Sequence, residues 1–161
     1  EIGLIPQVLR RAGRALGAER VAAWHHQLAD GERRVKVVAK GDPDGMPSLS
    51  LVKVRSRAAA APTAVDSGRG YSLLEVTIKT GRTHQIRVHL AALGYPIVGD
   101  DKYGDFALNK SLAANKALER MFLHAATMRC KHPVTGEPLN VEAPLPPELE
   151  RFLGHIERKN S

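Results

Sequence analysis

The spacing of apolar residues changes abruptly near the middle of the chain. In "YSLLEVTIK", residues 71–79, apolar and polar residues alternate, which is the pattern of a strand with one buried face. Directly after the turn "TGRT", Ile86, Leu90 and Leu93 recur at i, i+4 and i+7, the spacing of one face of a helix turned toward a core. A strand therefore runs into a helix through a short turn, and the chain must fold into a domain that combines both.

The start of this predicted helix is crowded with hydrogen-bond donors. Thr83 is the expected N-cap and Gly94 the expected residue that closes the helix. The polar residues around the first two turns are Arg82, His84, Gln85, Arg87 and His89. On an ordinary helix such a cluster is a solvated face. Here it lies at a helix N-terminus, which favours anions, and it contains arginines, which suit bidentate recognition of phosphate or carboxylate. The spacing places Arg87 beside the apolar face rather than opposite to it.

The charge of the chain is unevenly distributed. The formal net charge is +7, and Lys and Arg outnumber Asp and Glu by 15 to 8 in residues 1–90 but only equal them, 9 to 9, in residues 91–161. This asymmetry favours a polyanionic partner such as nucleic acid, because phosphate contacts release counterions. The alternative is a basic surface that serves solubility.

The remaining sequence predicts further elements of both kinds. Apolar periodicity and turn residues predict a basic helix at Leu4–Leu16, strands within residues 35–39 and 48–56, a loop over residues 94–105, a helix at Lys110–Arg120, a strand pair around the turn at Thr135–Gly136, and an amphipathic helix after Pro147. Residues 58–70 are expected to form a loose connection. With 161 residues and 43% hydrophobic residues, one domain with a packed core is expected.

Several other classes of protein are not expected. Cys130 is the single cysteine, so an internal disulfide is impossible and a reducing, cytoplasmic location is predicted. No apolar stretch is long enough to span a membrane, and residues 1–17 do not resemble a signal peptide. A metal site is not expected, because His84 and His89 are five residues apart and no cysteine pair accompanies them. No phosphate-binding loop of the Walker type occurs.

Three segments together resemble a known family. "TGRTHQIRVHLAALGYPIVGDDKYG", then "MFLHA", then "HPVTGEPLNVEAPLP" are similar to the RluA-type RNA pseudouridine synthases, especially the branch that acts on large-subunit ribosomal RNA. The resemblance covers about residues 32–156. It implies an α+β catalytic domain, with a mixed, largely antiparallel sheet and flanking helices around an RNA cleft. It also implies 23S-type ribosomal RNA as the partner, no cofactor, no metal and a monomer. Residues 25–161 would be the C-terminal part of this domain, preceded by a basic segment, residues 1–24.

The resemblance also implies roles for particular residues. In this family an aspartate attacks the target nucleoside, and the uracil is detached, rotated and rejoined through carbon. Arg87 matches the arginine that pairs with that aspartate, and Leu123 matches a leucine of the uracil pocket. A buried carboxylate needs a cation to stay ionised, and an apolar wall suits a flat base, although Leu123 would serve equally as a core residue. The residues expected to order the loop and contact RNA are Lys79, Arg82, Thr83, His84 and Gln85.

One part of the family pattern is missing from this sequence. The segment H-R-L-D, which carries the nucleophilic aspartate, does not occur, and the family's tyrosine motif does not occur either. Asp100 and Asp101 belong to the "GDD" turn and are not expected to be nucleophiles. We therefore expect that these residues cannot catalyse the isomerisation alone and that part of the natural protein is omitted. The alternatives are a non-catalytic RNA-binding member of the family and a protein that places the predicted helix at 83–93 in a DNA groove.

Overall fold

The computed structural model describes residues 2–10, 19–27, 35–58 and 70–158, which form one sheet and the helices packed on it. The strands are β1 Ile2–Arg10, β2 Glu19–Gln27, β3 Val35–Val38, β4 Met46–Ala58, β5 Tyr71–Ile78, β6 His124–Lys131 and β7 Pro138–Glu142. The helices are α1 Gln85–Ala92, α2 Phe106–Ala114 and α3 Pro147–Arg158. In this described part, no helix is long and apolar enough to cross a membrane.

The strands lie in the order β3-β2-β4-β5-β1-β6-β7, and each neighbouring pair is antiparallel. Strand β5 is central, because β4 pairs with one of its edges and β1 with the other. The chain leaves β5 and enters α1 after a turn, so the helix begins close to the middle of the sheet. The α+β class with a largely antiparallel sheet is thereby confirmed.

The predicted helix at Leu4–Leu16 is wrong where the structure describes it. Residues 2–10 form β1, which pairs with β5 on one side and β6 on the other. Pairing on both edges overrides a weak helical period. Pro6 has no N–H to donate, and it lies in the register shift between Leu4 and Gln7, where a proline is tolerated in a strand. Residues 11–16 lie outside the described residues.

The boundary expected between residues 24 and 25 falls inside β2, which pairs with β4 from Glu19 to His25. Strands from both sides of that boundary thus contribute to the same sheet.

Several other predicted elements agree with the structure. The strands within residues 35–39 and 48–56, the loop over 94–105, the strand pair and the C-terminal helix are all present. The helix predicted at Lys110–Arg120 is shifted, because α2 begins at Phe106 and ends at Ala114. The side chain of Asp105 accepts a hydrogen bond from the N–H of Leu108 at 3.0 Å and so fixes the earlier start. Residues 59–69 of the predicted connection lie outside the described residues.

Two apolar clusters form the core. The first lies where α1 packs on β4 and β5, and it contains Val52, Leu74, Val76, Ile86, Leu90, Tyr95 and Ile97. The second joins α2 and α3 to the start of β5, and it contains Tyr71, Val98, Leu108, Leu118, Phe122, Leu149, Phe152 and Ile156. Ile86 and Leu90 face the core as predicted, whereas Leu93 is 40% exposed, so the apolar stripe of α1 is one residue shorter than expected.

Candidate functional site

Helix α1 begins with an unusual cap. Its N-cap is His84, which has a left-handed backbone (φ 51°), and not Thr83 as predicted. The side chain of His84 makes no capping bond. Instead, Oε1 of Gln85 accepts hydrogen bonds from the N–H of Arg82 at 3.1 Å and from the hydroxyl of Thr80 at 2.7 Å. The loop between β5 and α1 is therefore closed by a buried glutamine side chain.

The C-terminal end of α1 follows the prediction. Gly94 has a φ of 82°, and its N–H donates to the carbonyl of Ala91. A glycine adopts this left-handed conformation without strain, so it closes the helix at C′.

The inward side of α1 is anchored by buried polar groups. His89 is 1% exposed, with Nε2 3.0 Å from Oγ of Ser48 and Nδ1 2.9 Å from Oγ of Ser50. Ser48 already donates its hydroxyl hydrogen to the carbonyl of Ala23, so Nε2 of His89 must be the donor. Ser50 then donates to Nδ1 and accepts from Nε2 of Gln85 at 3.1 Å. The hydrogen bonds thus lead from Gln85 through Ser50 and His89 to Ser48. This chain of bonds fixes α1 against β4.

The outward side of α1 carries a charged pair. Nε of Arg87 donates to Oδ2 of Asp100 at 2.9 Å, and Nη2 donates to Oδ1 at 2.7 Å. Nη2 also reaches Oδ1 of Asp101 at 2.8 Å. The two carboxylates differ in burial, since the Asp100 side chain is 0% exposed and the Asp101 side chain is 78% exposed. Arg87 thus has one buried bidentate partner and one partner in solvent.

The protonation state of this pair follows from its contacts. Burial raises the pKa of Asp100, but hydrogen bonds from Arg87 and from the N–H groups of Tyr103 and Lys102 outweigh it and lower the pKa below its usual value. The hydrogen bond to Asp100 raises the pKa of Arg87 above its usual value, against the opposing effect of burial. Both groups are therefore charged at neutral pH.

Tyr103 connects this pair to the N-cap residue and to β3. Its ring lies under the guanidinium of Arg87, with Cζ 5.2 Å from the ring centroid. Its hydroxyl accepts from the N–H of Val35 at 2.8 Å and lies 3.0 Å from Nδ1 of His84. Burial, Arg87 and Lys102 lower the pKa of His84 below its usual value, so this imidazole is mainly neutral at pH 7.

The turn that presents Asp100 is held by α2. Asn109 of α2 accepts from the N–H of Gly99 at 2.8 Å and donates to the carbonyl of Asp100 at 2.8 Å. Gly99 has a φ of 77°, and a Cβ there would collide with the carbonyl of Arg120. Gly104 is packed as tightly, because its Cβ would collide with the carbonyl of Asp100. The backbone around Asp100 is therefore fixed from both sides.

The residues predicted for RNA contact occupy different environments. Lys79, Arg82 and Thr83 are exposed in the loop between β5 and α1, and His84 is partly buried beside Tyr103. Gln85 is 3% exposed, so its contacts describe loop ordering and not a surface that RNA could reach in this conformation.

Leu123 is partly buried and packs against the first core cluster, to which α1 also contributes. Within the described ranges, no group of three or more His, Cys, Asp or Glu side chains could hold a metal ion.

Sequence reasoning did not anticipate the partners of Arg87. The sequence pattern predicts only a turn at Asp100 and indicates no role for Tyr103. The available signal was the block "GDDKYG", which places an aspartate, a tyrosine and two tightly packed glycines within a few residues.

Comparison with known proteins places this geometry in context. The family model described as RNA pseudouridylate synthase matches residues 14–92. "Ribosomal large subunit pseudouridine synthase C" of Escherichia coli (strain K12) is 42% identical over 127 residues, which cover 78% of this chain and 35% of that protein. "tRNA pseudouridine synthase C" of Salmonella typhi is 41% identical over 118 residues, which cover 71% of this chain and 45% of that protein. The chain thus spans less than half the length of either curated relative.

A solved structure is similar over most of the chain. The structure of human RNA Pseudouridylate Synthase Domain Containing 1 aligns with a TM-score of 0.69 and 27% sequence identity, and the alignment covers 92% of this chain and 57% of that one. The sheet and helices described above therefore have a counterpart in a protein whose name carries the same activity as the two bacterial relatives.

Proposed function

Because the chain belongs to the RNA pseudouridine synthase family, in its RluA-type branch, we propose that it forms part of a site that isomerises uridine to pseudouridine in RNA. The observation that carries the proposal is the partly buried guanidinium of Arg87, held by Asp100 on the outward side of α1. A guanidinium fixed in this way can keep a second carboxylate ionised and oriented.

The proposed reaction exchanges one bond of the nucleoside for another. The carboxylate of an aspartate attacks C1′, and an ester bond to C1′ forms as the bond between C1′ and N1 breaks. The detached uracil rotates, and a bond forms between C1′ and C5 as the ester bond breaks and releases the carboxylate. C5 then loses its hydrogen as a proton, and N1 gains a proton. In this proposal Arg87 pairs with the attacking carboxylate, and Leu123 forms an apolar wall against the uracil. The target base must leave its stack to reach such a pocket.

The exposed side of the loop between β5 and α1 would bind the RNA backbone. Lys79 and Arg82 are exposed there, beside Thr83 and the partly buried His84. In this proposal Gln85 acts indirectly, because its amide holds the loop that presents these side chains. Phosphate contacts of this kind give affinity that falls steeply with salt.

Large-subunit ribosomal RNA is the proposed substrate class, since the E. coli relative carries that name. Transfer RNA is the second candidate, because the relative named for tRNA is similar to nearly the same extent.

The test uses two components: the full-length protein, expressed from its complete gene, and RNA that is labelled with tritium at C5 of uridine. Unmodified transcripts of large-subunit ribosomal RNA and of tRNA are compared at equal concentration. We expect tritium release from the ribosomal transcript and little from tRNA. Tritium release from the tRNA transcript alone would mean that tRNA, and not large-subunit ribosomal RNA, is the substrate class. Salt-sensitive RNA binding without release from either transcript would overturn the proposed activity and favour a non-catalytic RNA-binding member of the family.

The remaining parts of the proposal concern the state of the protein. We expect a monomer that acts in the cytoplasm without a metal or an organic cofactor. A transition-metal chelator should therefore leave tritium release unchanged, and size-exclusion chromatography should give the mass of one chain. Loss of activity that returns with added metal would contradict this part alone.

A further inference from the structure

The carboxylates of Asp100 and Asp101 both contact Arg87, but they differ in burial and in the hydrogen bonds that hold them in place. The side chain of Asp100 is fully buried, and its Oδ1 also accepts from the N–H groups of Lys102 and Tyr103, each at 2.9 Å. Asp101 is 78% exposed and contacts only one nitrogen of the guanidinium. Asp100 therefore has a fixed position before any RNA arrives, whereas Asp101 can rotate into solvent.

The fork between Asp100 and Arg87 leaves one edge of the guanidinium for another partner. Nε and Nη2 both donate to Asp100, so this carboxylate occupies one edge of the planar group. Among the residues that the structure describes, none accepts a hydrogen bond from Nη1. The ring of Tyr103 lies against the guanidinium face and restrains its rotation. Together these contacts fix the direction in which Nη1 points.

The support behind Asp100 extends into the second core cluster. Asn109 holds the carbonyl of Asp100, and Leu108, its neighbour in α2, is buried in that cluster. The N–H of Phe122 donates to the carbonyl of Val98 at 2.8 Å, directly before the turn. Because a packed core does not deform freely, Asp100 keeps its position and can hold the guanidinium of Arg87 in one orientation.

From this geometry we propose that Asp100 is a positioning residue for the isomerisation, one that holds Arg87 by Nε and Nη2 so that Nη1 meets the carboxylate that attacks the nucleoside. The inference rests on the proposed function, since it names the residue that orients Arg87 in that same site. Asp100 itself does not touch the RNA. Asp101 contributes little, because its solvated carboxylate reaches only one nitrogen and cannot fix the orientation of a guanidinium.

The low pKa of Asp100 agrees with this role. Hydrogen bonds from Arg87 and two backbone N–H groups keep the carboxylate ionised in spite of its burial. Replacing it by an amide leaves one nitrogen facing the guanidinium, so the fork loses an acceptor and Arg87 is free to turn.

The first test compares three substitutions of acid by amide in the protein produced from its own gene. Asp100→Asn should lower kcat for tritium release about a hundredfold, because a small misplacement of a positioned group has an effect of this order. Its KM for RNA should change less than about threefold. Asp101→Asn should lower kcat far less than Asp100→Asn. Glu148→Gln breaks the exposed pair with Arg120 and should leave kcat unchanged. Equal effects of the Asp100 and Asp101 changes would overturn the proposal.

A double-mutant cycle separates positioning from a general structural role. If Asp100 acts through Arg87, Asp100→Asn should lower the single-turnover rate no further in an Arg87→Ala background. A second large loss in that background, at an unchanged folded fraction, would contradict positioning. Should Asp100→Asn fail to fold, Arg87→Lys replaces it, because lysine keeps the charge and loses the fork. A nearly normal rate for Arg87→Lys would then reject the proposal.

A nuclear magnetic resonance experiment tests the geometry without using activity. The Nε–H of Arg87 should exchange slowly with water in the wild type and in Asp101→Asn, and rapidly in Asp100→Asn. Rapid exchange already in the wild type would show that Asp100 does not hold Arg87. A wild-type protein that releases no tritium but shows the slow signal would refute the proposed function and leave the fork established.

Discussion

The two sides of α1 use polar groups in opposite ways. On the inward side, Gln85 and His89 are buried and bonded in series to Ser48 and Ser50 of β4. On the outward side, Arg87 is charged, is paired with carboxylates and lies at the edge of solvent. Residues of a single short motif thus divide between anchoring the helix to the sheet and presenting a charge beside it.

The difference follows from the cost of burying each kind of group. A neutral hydrogen-bond chain can be buried completely, provided every donor and acceptor has a partner. A buried charge needs an opposite charge with good geometry, and the fork with Asp100 supplies it. We therefore expect changes on the inward side to lower stability. Loss of Arg87 on the outward side should lower activity and also stability, because it leaves the buried carboxylate of Asp100 unpaired.

The largest expected effect is that of Arg87→Ala on activity. Loss of the guanidinium removes the partner proposed for the attacking carboxylate, and we expect tritium release to fall by about 10²–10³-fold while RNA still binds. Arg120→Ala is the matched control, because this arginine pairs with a carboxylate, Glu148, at an exposed position. Near-normal tritium release by Arg87→Ala would show that Arg87 has no part in the isomerisation. The outward side of α1 would then have no role in activity that distinguishes it from the inward side.

Gly99→Ala tests whether the turn behind Asp100 is as rigid as the outward side requires. The added Cβ collides with the carbonyl of Arg120, and the residue must keep a positive φ. We expect a loss of about 2–4 kcal/mol in the free energy of unfolding. Gly136→Ala is the control, because Gly136 has a similar φ of 73° and nothing within 4 Å of a Cβ, so its cost should be only about 1–2 kcal/mol. If Gly99→Ala and Gly136→Ala lose equal free energy of unfolding in urea, the turn behind Asp100 can shift to accommodate the added methyl group.

His89→Leu tests the inward side. Leucine fills a similar volume but removes the hydrogen bonds between the imidazole and the hydroxyls of Ser48 and Ser50, so unfolding in urea should show a loss of about 1–3 kcal/mol. His155→Leu on the exposed side of α3 should change stability by less than about 0.5 kcal/mol. If His89→Leu instead left stability intact and abolished tritium release, the division of roles between the two sides would be reversed.

Sequence reasoning reached the local parts of this arrangement and missed the long-range ones. The strand within residues 71–79 and the helix that follows are encoded by local periodicity, which also places Arg87 beside the apolar face. That Arg87 pairs with a carboxylate was implied only by the family resemblance, and for a different aspartate. Residues 2–10 were assigned to the wrong element because their partners, β5 and β6, lie far along the chain. Asp100 was missed as the partner of Arg87 for a similar reason, since its placement depends on Asn109 and on the close packing at Gly99.

The smallest expected effect concerns the titration of His84. Burial and the nearby positive charges of Arg87 and Lys102 lower its pKa below 6.5, so the folded state favours the neutral imidazole. Since the pKa is lower in the folded state than in the unfolded state, the contribution of His84 to stability is complete above pH 6.5 and is lost as pH falls through the folded value. NMR of the imidazole should show this low pKa and should show it rising in Arg87→Met, which removes one of the charges that oppose protonation. A pKa above 6.5 in the wild type would mean that the carboxylates of Asp100 and Asp101 affect His84 more strongly than Arg87, Lys102 and burial do. The electrostatic field on the outward side would then be negative, whereas an attacking carboxylate requires a positive one.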